Sequence, residues 1–163
     1  SKTRVYASSD IQGVQLGGAL KNVIAIAAGI SDGLGFGANA RAALITRGLA
    51  ELARFGQALG GQAETFSGLT GLGDLILTCT DDQSRNRRVG LAIGHGETMA
   101  QAIKKVGQEA EGINSARELY RKSQALKVEM PISEQVYRVL FEDHDPSAAV
   151  TTLLEREPKT ERS

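Results

Sequence analysis

Between Gly17 and Gly29 the chain reads GGALKNVIAIAAG, and Lys21 and Asn22 are its only polar side chains. A lysine in such a segment must desolvate its ammonium unless it faces a cavity or a partner. Desolvation turns a solvated cation into a usable base. On a helix, Lys21 shares its face with Gly17, Gly18, Ile24 and Ala25. Three of these four are tiny, which leaves room for a ligand beside the ammonium. The competing reading is a lysine whose stem lies on the core while its head reaches water. The apolar run from Val23 to Ile30 is far shorter than the roughly 20 residues that a bilayer span needs.

The rest of the chain reads as helices in succession. Ser9 or Asp10 can cap a first long helix that runs to about Ile30, where Gly33, Gly35 and Gly37 break it. A second helix is expected from about Asn39 to Leu59. Its apolar positions Leu44, Leu49, Leu52, Phe55 and Leu59 follow a period near 3.6, and Gly60 and Gly61 end it. Shorter helices are expected over Ala63–Leu69, Asp74–Thr78, the RNRRVGLAIG stretch capped by Ser84, and Thr98–Val106. Two more follow over Glu111–Lys127 and Ile132–Phe141, the latter introduced by Pro131. Asp145-Pro146 caps a last helix to about Leu154, with proline at its first position. The tail REPKTERS is expected to fray.

Strand signals are poor. No segment alternates with β-branched and aromatic enrichment, and aromatics are only 4% of the chain, which disfavours a sandwich or a barrel. The expectation is one all-α domain over residues 1–163. Its 19 basic and 19 acidic residues cancel, against a nucleic-acid partner or a polybasic membrane anchor. One cysteine, Cys79, and two distant histidines, His95 and His144, give no disulfide framework and no metal-ligand pair. With no apolar signal core at the N-terminus, a soluble cytoplasmic protein is expected.

The stretch Gly33-Leu-Gly35-Phe-Gly37-Ala38 matches the dinucleotide-binding pattern G-x-G-x-x-A. That pattern is specific only between a strand and a helix. Here the preceding run continues a helical segment, and no second strand with an acidic end follows. The glycines read as a helix–helix turn.

A second informative stretch is GLTGLGDLILTCTDDQSRNRR, Gly68 to Arg88. Asp74 and Thr78 are four apart on one helix face in an apolar context. Asp74 either caps that helix or points at something specific. Ser84-Arg85-Asn86-Arg87-Arg88 sets three guanidinium groups and a hydroxyl at a helix start, which suits a phosphate. The alternative is a solvated basic face offset by Asp81 and Asp82. Together with Lys21, the cluster points to a small, phosphorylated, hydroxylated substrate.

The blocks LGGALKN, GLGDL and SRNRR in this order, with GLGFGANARAALITRGL, the EAEG of residues 109 to 112 and VEMPISEQVYRVLF, are similar to the substrate half of the bacterial-type NAD(P)-dependent glycerol-3-phosphate dehydrogenases. The resemblance covers nearly the whole chain. It implies an all-α domain of the 6-phosphogluconate dehydrogenase C-terminal type. It also implies reversible hydride transfer between sn-glycerol 3-phosphate and dihydroxyacetone phosphate, for glycerophospholipid synthesis. Carried over by position, Lys21 matches the proton-transferring lysine. Asp74, Thr78, Ser84, Arg85 and Asn86 match substrate contacts, and Arg85, Glu109 and Glu111 match cofactor contacts. Glu109 stands where an apolar residue is usual. The NAD(P)(H) cofactor would be bound mainly by an N-terminal dinucleotide-binding domain that this chain lacks, so the chain alone is expected to be inactive. A homodimer is compatible with the resemblance. Two other classes remain open: the helical domain of another two-domain dehydrogenase, of hydroxyacid or ketopantoate type, which the SRNRR cluster speaks against, and a non-enzymatic helical dimerisation module.

Overall fold

A computed structural model describes residues 2–60, 72–107 and 110–156, with side chains in the first helix from residue 15 onward. Eight helices and no strand occur among the described residues: α1 (Lys2–Gly33), α2 (Ala38–Ala58), α3 (Leu72–Thr80), α4 (Arg85–Gly94), α5 (Met99–Val106), α6 (Glu111–Leu126), α7 (Pro131–Phe141) and α8 (Pro146–Glu155). The expected all-α class holds. The expected piece over Ala63–Leu69, the tail beyond residue 156 and Glu109 lie outside the described residues.

The axis of the fold is α1. All eight residues from Val23 to Ile30 are buried, Gly29 included. The helix packs against α2, α3, α4, α6, α7 and α8. It is longer than the sequence suggested, since Ser9 and Asp10 lie inside it rather than at its start. No glycine or proline occurs from Lys2 to Ile11, so nothing stops the helix there. It ends at Gly33. Gly35 (φ 82°) and Gly37 (φ 91°) then make the turn into α2 in a conformation that glycine tolerates and other residues resist. Gly33 to Ala38 therefore joins two helices, as expected, and has no dinucleotide-fold context.

The closest seam is between α1 and α4. A Cβ on Gly33 would lie 2.5 Å from the carbonyl oxygen of Leu91, and one on Gly94 would lie 2.5 Å from that of Ile30. Gly29 and Gly90 meet the backbone carbonyls of Arg87 and Ile26 at closer range still. Four glycines, spaced four apart on each helix, let backbone touch backbone, where dispersion contacts are densest.

The helix starts follow their caps. The Ser84 hydroxyl accepts from Arg87 N (3.3 Å), and Asp145 Oδ2 accepts from Ala148 N (2.9 Å). Thr98 and Gln101 form a reciprocal capping box. Helix α7 has Pro131 in its first turn but no side-chain cap from Met130. Its free N–H groups are satisfied from α2 instead. Glu51 Oε1 accepts from Ile132 N (2.8 Å), and Oε2 accepts from Ser133 N (3.0 Å) and the Ser133 hydroxyl (2.9 Å). Arg47, also on α2, donates to the carbonyls of Leu154 (3.2 Å) and Arg156 (2.8 Å), closing the far end of α8.

Candidate functional site

Lys21 leaves α1 where the helix passes from the core to the surface. Its side chain is 19% exposed, and its Nζ donates to Asp74 Oδ2 on α3. Asp74 lies in the first turn of α3, where a carboxylate also suits the helix dipole. One turn on, the Thr78 hydroxyl donates to the carbonyl of Asp74 (2.9 Å). The lysine thus meets a specific carboxylate instead of simply reaching water. Asp74 is not the helix cap.

Beside this pair lies a cavity of about 560 Å³ between α1, α3 and α6. Its walls include Gly18, Lys21, Asn22, Thr78, Glu111 and Asn114. A Cβ added to Gly18 would meet nothing within 4 Å, so the room expected beside the ammonium is there. Ile24 and Ala25, from the same helix face, turn into the core instead. Asn22, the other polar side chain of the segment, shares the cavity with Lys21.

The SRNRR cluster divides. Ser84 spends a lone pair on its cap, while Arg85 and Arg88 are exposed at the start of α4. Asn86 Oδ1 accepts from Gly112 N (2.8 Å), tying that start to the first turn of α6, next to Glu111. Arg87 points inward. Its guanidinium bonds Asp32 Oδ2 (3.0 Å) and Asp82 Oδ1 (2.7 Å), so it is no part of a solvated basic face. The structure therefore brings together Lys21, Asp74, Thr78 and Glu111. Asp74 reaches the cavity only through Lys21, and Asp74, Ser84, Arg85 and Asn86 are not among the residues that wall it.

Sequence reasoning missed Asp32 and Glu51. Asp32 Oδ2 accepts from both Arg87 and Arg41 (3.0 Å each). Glu51 is 1% exposed. Burial raises its carboxyl pKa, against the opposing effect of its hydrogen bonds to Ile132 and Ser133 and of the Arg54 charge. Burial, and then the charge of Asp32, push the Cys79 thiol up to about 12, so it is no nucleophile. Among the described residues, no three His, Cys, Asp or Glu side chains are grouped to hold a metal ion. No described helix is long and apolar enough to cross a membrane.

The family model described as NAD-dependent glycerol-3-phosphate dehydrogenase C-terminus matches residues 10–151. The chain belongs to this family. It is 62% identical over 158 residues to glycerol-3-phosphate dehydrogenase [NAD(P)+] of Pseudoalteromonas translucida, covering 97% of this chain and 47% of that one. It is likewise 62% identical to the same-named protein of Thioalkalivibrio sulfidiphilus, covering 98% and 48%. The fold matches the crystal structure of glycerol-3-phosphate dehydrogenase from Coxiella burnetii with a TM-score of 0.84 at 55% identity, over 88% of this chain and 44% of that one. DsGPDH of Dunaliella salina matches with a TM-score of 0.72 at 26% identity, over 91% and 28%. The chain spans about half the length of the curated relatives it matches. Membership in the glycerol-3-phosphate dehydrogenase C-terminus family sets aside the hydroxyacid and ketopantoate types.

Proposed function

We propose that this chain is the substrate-binding half of an enzyme that interconverts sn-glycerol 3-phosphate and dihydroxyacetone phosphate with NAD(P), for glycerophospholipid synthesis. One observation carries the reading: in a member of this family, a lysine rooted in the most buried helix meets a carboxylate at the wall of a cavity large enough for a triose phosphate. Lys21, as the neutral amine, takes the C2 hydroxyl proton during oxidation, and as the ammonium gives a proton to the ketone oxygen during reduction. Asp74 holds the ammonium form beside the cavity. Asp74 and Thr78 face the substrate hydroxyls. Ser84, Arg85 and Asn86 take the phosphate at the start of α4, where helix N–H groups and a forked donor both favour an anion.

A dinucleotide pyrophosphate needs a strand–turn–helix cradle, and the described residues include no strand to begin one. The nicotinamide would be held by a separate dinucleotide-binding half, in keeping with the greater length of the relatives. Arg85, Glu109 and Glu111 are the residues of this chain proposed to reach it.

The test uses the full-length enzyme. Lys21→Ala should lower kcat by about 10²- to 10⁴-fold, with substrate affinity less affected. Arg85→Ala should instead raise KM for the phosphorylated substrate by one to two decades, because a charge-assisted hydrogen bond contributes roughly 1.5–3 kcal/mol. Arg85→Lys should restore only part, since an ammonium lacks the fork. Near-normal kcat in Lys21→Ala would overturn the assignment.

A further inference from the structure

We propose that Arg87, held by Asp32, is a positioning residue that fixes the phosphate-contacting turn of α4 relative to Lys21. The inference rests on the function just proposed for that turn. Arg87 directly follows Ser84, Arg85 and Asn86, yet its side chain is 10% exposed and turned away from them. Its guanidinium reaches Asp32, 9% exposed in the last turn of α1. It also reaches Asp82 in the segment before α4, and its own backbone N–H closes the Ser84 cap. Arg41, at the start of α2, pins the Asp32 oxygen from the other side. The turn is held at two further points, by Asn86 on Gly112 N and by the carbonyl of Arg87 packed on Gly29.

A buried ion pair is a poor way to gain stability, because desolvating both charges costs much of what their attraction returns. The glycine seam already brings α1 and α4 into contact without it. The seam fixes where the two backbones touch, since a Cβ at Gly29, Gly33, Gly90 or Gly94 would crowd a facing carbonyl. The ion pair adds a side-chain anchor at the residue that directly follows the phosphate-contacting turn. Arg87 gives one N–H bond to Asp32 and one to Asp82, so its guanidinium ties the end of α1 to the segment before α4. Asp32 lies eleven residues beyond Lys21 on the same helix, about 16 Å along its axis. Locking Arg87 to Asp32 therefore sets the distance between the group that handles the C2 proton and the group that holds the phosphate. For a substrate three carbons long, that distance decides whether both ends are engaged at once.

The experiment is steady-state kinetics of the full-length enzyme carrying Arg87→Met, Arg87→Lys, Asp32→Asn and the Arg87→Met/Asp32→Asn double change, with Arg85→Ala in parallel and a thermal midpoint for each. Arg87→Met should raise KM for dihydroxyacetone phosphate about ten- to a hundredfold. Competitive inhibition by inorganic phosphate should weaken in step, while kcat falls far less. Arg87→Lys should recover part of the loss. The double variant should be no worse than Arg87→Met alone, as expected for two residues acting through one contact. Should Arg87→Met fail to fold, Asp32→Asn, which keeps shape and an acceptor, should still raise KM. A lowered midpoint with unchanged KM and phosphate inhibition would mean that the pair serves stability only, and the proposal falls. If Arg85→Ala raises KM while the Arg87 and Asp32 variants do not, this inference alone is overturned. If Arg85→Ala leaves KM unchanged, the phosphate assignment falls and this inference with it.

Discussion

Glu51 puts a carboxylate inside the core and satisfies it with three donors from the first turn of α7. Its folded pKa is raised above 4.5 by burial. The folded state then binds this proton more tightly than the unfolded chain does. The resulting stability is fully present below the unfolded value and is lost as pH rises through the folded one. Denaturation midpoints of the wild type relative to Glu51→Gln should therefore rise as pH is lowered towards 4.5. A difference that is flat across that range would contradict the direction of the shift. Glu51→Ala strands the N–H groups of Ile132 and Ser133 and should cost about 1–3 kcal/mol. Part of this was legible. Glu51 falls on the apolar stripe of α2 with Leu44, Gly48 and Phe55, and an acid on such a stripe needs donors. Which donors was not legible, because they lie 81 and 82 residues away. Arg87 shows the same limit. The string SRNRR cannot say which guanidinium faces inward until the partner helix is placed, and the acid that decides it is Asp32.

At the level of helices, the starts at Ser84, Thr98, Pro131 and Asp145 were all readable, because a capping side chain or a first-turn proline marks each one locally. The start of α1 was not, since Ser9 and Asp10 are good caps that the longer helix simply absorbs. The seam of α1 and α4 had a signal that went unused: Gly29 with Gly33, and Gly90 with Gly94, repeat every four residues. Gly90→Ala should push a methyl group against the carbonyl of Ile26. Backbone cannot move aside as a side chain can, so the cost should reach or exceed the usual 1–3 kcal/mol of overpacking. Gly18→Ala is the control. Its Cβ meets nothing, so helix propensity should add about 0.5–1 kcal/mol of stability. The same methyl group narrows the cavity beside Lys21 and should raise KM. Urea midpoints of the two variants, compared with the wild type, test both signs.

For the molecule as a whole, the 163-residue chain by itself should give a far-ultraviolet circular dichroism spectrum dominated by helix, and no reduction of dihydroxyacetone phosphate with either nicotinamide cofactor. A strand-dominated spectrum would refute the fold. Robust turnover would mean that the glycine turn from Gly33 to Ala38 does hold a dinucleotide. The all-α class was legible because helix punctuation is local. The packing of six helices against α1 was not, because it is set by partners far along the chain. That arrangement also bears on synthesis. Helix α1 leaves the ribosome about fifty residues ahead of α4. At some 5–20 residues per second, its apolar run waits several seconds before α4 is available to cover it. A nascent chain at this stage is a natural client for a chaperone that grips exposed aliphatic stretches, and a pause in translation before α4 would lengthen the exposure.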